Sequence, residues 1–404
     1  MAMRNPVMKR QNYIATMAVA AMLAVMFVGA ILPTPLYPLF REAFGFSPVT
    51  LTLVYAVYVL GNLVALLLFG RLADQIGRRN TGLPAIGFGI ASTIVFASAA
   101  GTAWLFAARA LSGFSTGLAA GAATAWIAET YVDHGAGGAA RIAAAANFFG
   151  CATGPLIGGV LAQFTATPLR LPFFVYLALL CTVAVTTFFA PETVAKRKRL
   201  SEVSLKPRLG VPQQIRLQFV SPAVTGFATF ALIGFYSALI PSLLRDNLHQ
   251  SAPVVAGGVV FLLFLVAAIT ILISGRLASQ RATLTALTLL PPSLWLLVLA
   301  EITQSLPLVL LSAVAGGIAG GLGYRGSLEV INRIAPADQR SEVVSSYLVA
   351  LFAGNSVPII GIGLLAAASN SILAHVTFAA VITMLAGVAM LTGIKFAPNG
   401  KPVI

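Results

Sequence analysis

Charge is what this 404-residue chain has least of: only 9% of it is Asp, Glu, Lys or Arg, against about 25% in an average soluble domain. With 58% of its residues hydrophobic and a mean hydropathy of +0.93, it has no polar exterior to keep it in solution. Soluble enzymes and disordered segments are excluded on that ground. Cysteine is scarce too. Cys151 and Cys181 both sit in long apolar runs, so no disulfide framework exists. Acidic residues number 11 against 25 basic ones, for a net charge of +14. Nucleic-acid binding needs basic residues clustered on a soluble face, and a chain this sparsely charged has none to offer. No G-x-x-x-x-G-K-[ST] stretch is present, which argues against an ATP-driven pump.

What the chain has in plenty is apolar runs of about 20 residues, the length that crosses a bilayer as a helix. Twelve are predicted, centred near Ala24, Leu60, Ile90, Phe114, Thr153, Leu180, Phe230, Leu265, Ser293, Gly317, Gly354 and Thr383. The first follows Arg4, Lys9 and Arg10, but its length exceeds the roughly 7–15 apolar residues of a signal peptide, so it reads as a retained span. If the N-terminus lies inside, the basic residues fall almost wholly on the inner side. Only Arg41, Arg170 and Arg245 lie in outer loops, and only Arg109 and Arg325 within spans. By the positive-inside rule both termini are expected in the cytoplasm of a multi-pass inner-membrane protein. The +14 is therefore a topology signal.

The longest polar stretch, with a KRKR run at 196–199, divides the spans six and six. Residues 1–190 and 218–404 are expected as two lobes joined by a cytoplasmic loop over 191–217. The halves repeat. Gly70-Arg71-Leu72-Ala73 returns as Gly275-Arg276-Leu277-Ala278, Gln75 as Gln280, Pro48 as Pro253, Glu129 as Glu329 and Arg141 as Arg340. The predicted fold is an all-α membrane protein of twelve helices in two pseudo-symmetric six-helix lobes. In such carriers the substrate site lies between the lobes near mid-membrane.

Three stretches carry a family resemblance. The loop Gly70-Arg-Leu-Ala-Asp-Gln-Ile-Gly-Arg-Arg79 resembles the loop 2–3 signature of the major facilitator superfamily, matching at Gly70, Leu72, Asp74, Gly77, Arg78 and Arg79. It implies a latch on the cytoplasmic side while the carrier faces outward, in which Asp74 bonds a helix N-terminus of the other lobe. The second copy has Ser279 in place of the Asp. Gly150-Cys-Ala-Thr-Gly154-Pro155-Leu-Ile-Gly158-Gly159 resembles the span-five motif of the drug/proton antiporter branch. Its glycines make a smooth stripe for close helix approach, and Pro155 removes one helix hydrogen bond. Arg109-Ala-Leu-Ser-Gly113 is similar to the span-four motif, with Ser112 where the family commonly has Gln. Glu129 with Arg141, and Glu329 with Arg340, also fit the pattern and imply an inner charge network joined by Arg78.

The resemblance implies a proton-coupled exporter of small amphiphilic molecules or drugs, a secondary antiporter working by alternating access. A proton-coupled importer of a sugar or organic acid on the same fold is the alternative. None of the acids falls in the middle of a span, and the first span has no carboxylate. Candidates for the proton are thus Asp74, Glu129, Glu329 and His375, whose ordinary pKa suits the task. Arg109 and Arg325, embedded without a deep acid, should bias the cavity against permanent cations. If Arg325 instead pairs with Glu329 one turn on, the cavity is neutral. Tyr55, Tyr58, Asn62, Trp126, Asn147, Tyr236, Tyr324 and Asn355 are candidate cavity-lining groups. No cofactor, metal site or enzymatic cluster is expected, and the partners are a small-molecule substrate, protons and the lipid bilayer around a monomer.

Overall fold

In a computed structural model of the chain, described for residues 6–131, 135–195, 198, 202 and 209–396, every regular element is helical. Twelve long helices carry the fold: α1 (Pro6–Ile31), α3 (Pro48–Phe69), α5 (Arg78–Ala97), α6 (Thr102–Thr130), α7 (Gly135–Phe164), α8 (Leu171–Phe189), α9 (Arg216–Ala238), α11 (Pro253–Ile273), α12 (Ser279–Ile302), α13 (Leu306–Ile334), α14 (Arg340–Ala368) and α15 (Ser371–Lys395). Each predicted centre falls inside one of them. Three short helices, α2 (Tyr37–Phe44), α4 (Leu72–Ile76) and α10 (Ile240–Asp246), sit in the connections. Eleven of the long helices are apolar enough to cross a membrane. The twelfth, α6, is 29 residues long but is diluted by Arg109 and by its many glycines, serines and threonines. Of the KRKR run only Lys198 is among the described residues, and Arg4 and Lys401 lie outside them; nothing of the side chains of Lys9 and Arg10 is described.

The ends of the helices are written in the sequence. Ser47 accepts a hydrogen bond from the Thr50 N–H, with Pro48 at the first helical position, where its missing N–H costs nothing. Pro253 starts α11 in the same way. Asn370 caps α15 through the Leu373 N–H. Gly45 ends α2 at φ 67°, a left-handed conformation that only glycine adopts freely.

The duplication holds through the elements. Pro48 and Pro253 begin corresponding helices, the two GRLA stretches fill corresponding turns, and α6 and α13 are both 29 residues long. Between the halves, α7 packs on α11, α3 on α14, and α2 on α10. Close backbone approach is what the glycines provide. A Cβ at Gly150 or Gly154 would stand 2.1 or 2.4 Å from the Ala24 or Val28 carbonyl of α1, and one at Gly158 2.4 Å from the Leu32 carbonyl just past its end. One at Gly159 would meet the Pro253 carbonyl at 2.5 Å, and one at Gly257 the Pro155 carbonyl at 2.3 Å. The span-five stripe thus serves two contacts: three glycines face α1 and the residue after it in its own half, and Gly159 with Pro155 faces α11 in the other.

Candidate functional site

A cavity of about 460 Å³ lies between the halves, walled by α1, α3, α6 and α7 on one side and by α9, α11, α13 and α14 on the other. Its floor is aromatic. Phe148 of the first half sits 5.5 Å from Tyr324 and 6.0 Å from Phe264 of the second, and Phe230 lies 5.7 Å from Tyr324 and 6.3 Å from Phe352. Polar groups are few and uncharged: Tyr55, Tyr58, Asn62, Thr124, Asn147, Ser237, Tyr324 and Asn355. The Tyr55 hydroxyl donates to Asn355 Oδ1 at 3.1 Å, joining α3 to α14 across the cavity. Asn62 Nδ2 donates to Thr116 Oγ1 at 3.0 Å, and its Oδ1 is buried without a partner. Such a site binds by ring contact and sorts by a handful of amides and hydroxyls.

Among the described residues, no Asp, Glu, Lys, Arg or His lines this cavity. Both embedded arginines are accounted for elsewhere. Arg109 is fully buried and does not snorkel. Its Nη1 donates to the Ala30 carbonyl at 2.7 Å, and its guanidinium lies 4.5, 5.5 and 5.9 Å from the rings of Tyr58, Tyr55 and Tyr37. Three aromatic faces replace a carboxylate partner, while Nε and Nη2 stay unpaired. The charge stands behind the cavity wall, with Tyr55 and Tyr58 between it and the lumen. Arg325 is neutralised one turn on, its Nη1 donating to Glu329 at 3.2 Å and its Nη2 to the Leu277 carbonyl of the second GRLA turn at 2.7 Å. The pairing read as the counter-case from the sequence is the one found.

Two candidate lining residues are corrected. Trp126 is fully buried and donates to the Pro191 carbonyl at 2.9 Å. The Tyr236 hydroxyl is 2.7 Å from Ser312 Oγ. Both are packing ties outside the cavity, Trp126 to the segment after α8 and Tyr236 to α13, because helical spacing alone does not say which face a ring takes.

The cavity reaches toward the ends of the helices that carry the basic loops, through Leu66, Ala128, Leu328 and Val344. At this basic end Arg78 is the hub. It is 6% exposed, and it donates from Nη1 to Asp74 at 2.5 Å and from Nη2 and Nε to the two oxygens of Glu129 at 2.6 and 3.1 Å. That fork-on-carboxylate geometry is the strong form of an ion pair. Thr193 donates a further hydrogen bond to Glu129. Glu192 accepts from the Arg78 and Arg79 N–H groups at 2.9 and 3.1 Å, an anion seated on the N-terminus of α5. The latch of the outward-facing carrier is not engaged in this arrangement, and the inner network runs through Arg78 without Arg141 on Glu129. Asp74 bonds Arg78 in its own half and not a helix end of the other. Arg141 stands apart from Glu129, its guanidinium against Gly275, where a Cβ would meet Nη1 at 2.9 Å.

At the opposite end the halves are clasped. Arg41 of α2 pairs with Asp246 of α10 at 3.3 Å, and Arg245 of α10 pairs with Glu42 of α2. Each half supplies an Arg-acid dipeptide and receives the other's, as a two-fold axis requires. The Glu42 hydrogen bond and charge hold the Arg245 guanidinium above its ordinary pKa. Beneath the clasp, Thr34 donates to the Ser237 carbonyl at 2.7 Å. The repeat of Arg-Glu as Arg-Asp, a few residues after Pro38 and Pro241, was the available signal for this contact.

His375 is also away from the cavity, screened by α9, whose Phe235 ring lies 5.0 Å from the imidazole. Its Nδ1 is 2.7 Å from Oε2 of Glu301, which is 3% exposed and accepts a second hydrogen bond from the Asn247 amide. Glu301, near the end of its span, is a buried acid that the sequence did not single out.

The family profile of the Major Facilitator Superfamily matches residues 17–300. The chain belongs to that superfamily. It is thus a multi-pass membrane transporter, and the twelve-helix architecture is the superfamily's fold. The chain is similar to the crystal structure of a bacterial homologue of the human lysosomal transporter Spinster, in an inward-facing and unoccupied conformation. The TM-score is 0.70 at 15% identity, over 99% of this chain and 100% of that one. At that identity the likeness is one of fold. A search of curated proteins finds no match.

Proposed function

We propose that this transporter is a proton-coupled exporter of small, uncharged amphiphilic molecules, with the basic end and both termini in the cytoplasm of the inner membrane. The observation that carries the reading is the cavity: about 460 Å³, walled by aromatic rings and amides, with no charged side chain on its surface among the described residues. A sugar carrier needs more hydrogen-bonding groups than this wall offers, and an organic-acid carrier needs a cation within contact distance. Aromatic amphiphiles need neither. Arg109, unpaired behind Tyr58, adds a positive potential that disfavours cations.

Alternating access is then the rocking of lobes 1–190 and 218–404, joined by the loop 191–217, about that cavity. The cavity reaches toward the basic end, which this reading places in the cytoplasm, and the halves are clasped at the opposite end. Substrate enters from the inner face and settles among Phe148, Phe230 and Tyr324. Asp74 is free to turn to the opposite lobe only after Arg78, already held by Glu129, releases it. The latch implied by the loop signature therefore belongs to the outward-facing state, which explains why Asp74 is engaged within its own lobe here.

Uptake of the neutral dye N-phenylnaphthylamine into inverted membrane vesicles tests this. Export predicts accumulation that requires an acid interior and collapses with an uncoupler, with tetraphenylphosphonium a poor competitor. Accumulation indifferent to the uncoupler sinks proton antiport, and a gradient that drives efflux from inverted vesicles favours the importer.

A further inference from the structure

We infer that Glu301 and His375 form a proton-binding site near the outer face of the second lobe, and that Asn247 passes its charge state to α10 and so to the outer clasp. The inference deepens the proton-coupled reading by naming where the proton is taken up from outside.

The geometry has three parts. Glu301 and His375 are 3% and 8% exposed, and their side chains meet at 2.7 Å. An acid and an imidazole taken out of water are costly, and an apolar pair of similar volume would serve packing as well or better. Second, the pair is tied to a moving part. The Asn247 amide, which donates to the other Glu301 oxygen, is the C-cap of α10. Third, α10 carries Arg245 and Asp246, the second lobe's contribution to the clasp. The titratable pair's contact at Asn247 therefore directly follows the clasp residues Arg245 and Asp246 in the chain.

Charged groups near the pair are few and engaged elsewhere. The outer ends of α9, α13 and α14 bring no charged residue to it. From α10 come Arg245 and Asp246, both engaged with α2 through Glu42 and Arg41, and His249 follows in the exposed loop. The clasp carboxylates are exposed, and each is held by an arginine of the other half.

With the proton bound, imidazolium and carboxylate form a neutral pair whose Nδ1–H fixes Glu301 as the acceptor for Asn247, and α10 stays seated. Without it, a buried carboxylate faces a neutral imidazole and carries an unbalanced negative charge. That charge is relieved by hydration, which requires α10 to lift. Proton uptake from outside therefore closes the outer face, the order an antiporter needs after releasing its substrate.

The test uses the full-length protein in lipid nanodiscs, lacking Cys151 and Cys181, with nitroxides at Ala43→Cys and Gln250→Cys. Electron-resonance distances are read between about pH 5.5 and about pH 8, the range in which an imidazole titrates. The outer-open population should rise about tenfold with pH, a coupling within the usual allosteric range. His375→Gln keeps a neutral donor to Glu301 but cannot take the proton, and should stay outer-open throughout. Glu301→Gln keeps an acceptor for Asn247 and should lose the response. Asn247→Ala leaves the pair intact and should uncouple it from the clasp. A flat response in the parent protein overturns the inference. So does an unchanged response in both His375→Gln and Glu301→Gln, or a response that disappears with His249→Asn. Dye transport that ignores an uncoupler would remove proton coupling while leaving this pH response in place. Proton-driven transport whose clasp ignores these substitutions would keep the coupling and discard the site.

Discussion

The glycines of α7 allow the two kinds of helix contact in this fold to be separated by one methyl group. A Cβ at Gly159 would lie 2.5 Å from the Pro253 carbonyl, and one at Gly257 2.3 Å from the Pro155 carbonyl, where ordinary contact begins at 3.4 Å. The differences, 3.4 − 2.5 and 3.4 − 2.3, require about 0.9 and 1.1 Å of separation between α7 and α11. Both obstacles are backbone, so no side chain can yield. Overpacking of this kind costs about 1–3 kcal/mol. The contact joins opposite lobes on the clasp side, so the cost falls on the outer-closed state. The population should shift toward the outer-open state by about 5- to 150-fold. At Gly150 a Cβ would stand even closer, 2.1 Å from the Ala24 carbonyl, but within one lobe. Gly150→Ala should lower stability without moving that equilibrium. Cys151 is a native reporter, since it lines the cavity, and Cys181→Ser leaves it the sole thiol. A membrane-impermeant maleimide applied from the outer side should label Cys151 slowly in the parent protein. Labelling should be faster by the population factor in Gly159→Ala and Gly257→Ala. Equal outer labelling in all three variants, or a rise in Gly150→Ala alone, refutes the assignment of these glycines to inter-lobe closure.

Arg109→Met removes a cation worth about 2 kcal/mol to a charge roughly 8 Å away at an effective dielectric near 20. Tetraphenylphosphonium should then compete about 30-fold better against the neutral dye in equilibrium binding, with the dye itself little affected. Glu192→Ala strips the carboxylate from the N-terminus of α5, a loss of about 1.5–3 kcal/mol for a charged acceptor. It should appear as a lower unfolding midpoint with dye affinity unchanged. Asp74→Asn leaves Arg78 on Glu129, so dye binding should hold within about twofold while turnover falls about tenfold or more, the pattern of an interaction made outside the bound ground state. Unchanged transport would remove Asp74 from the gate.

The helices were legible because a bilayer demands long apolar runs, and the repeat was legible because GRLA and Pro48/Pro253 sit at matching turns. The Arg325–Glu329 tie was legible as well, since i and i+4 on a helix are neighbours. What could not be read was rotation. In a membrane bundle the lipid-facing side is as apolar as the packed side, so hydropathy does not mark the inward face as it does on a water-soluble helix. Tyr55, Tyr58, Asn62, Asn147, Tyr324 and Asn355 turned to the cavity while Trp126 and Tyr236 turned into helix contacts, and nothing in their spacing distinguished them. Glu301 and His375 are 74 positions apart in sequence. The acid sits so near the end of its span that it reads as a rim residue. Only the packing of α12 against α15 brings the two together.

The distribution of closure energy follows from the same contacts. The clasp pairs are water-exposed, with side-chain exposures of 35% and 49% for Arg41 and Asp246 and 31% and 58% for Arg245 and Glu42. Exposed ion pairs are worth about 0–1 kcal/mol each. They specify register between the lobes and contribute little to holding them. The close approach of α7 to α11 has no polar group to screen, so salt should leave closure nearly intact where one added methyl does not. A carrier must keep its two states within a few kcal/mol so that substrate or a proton can tip them. Weak, symmetric ion pairs over a backbone-on-backbone seam meet that requirement. A buried carboxylate–imidazole pair linked to the clasp through one amide is then large enough to decide which state prevails.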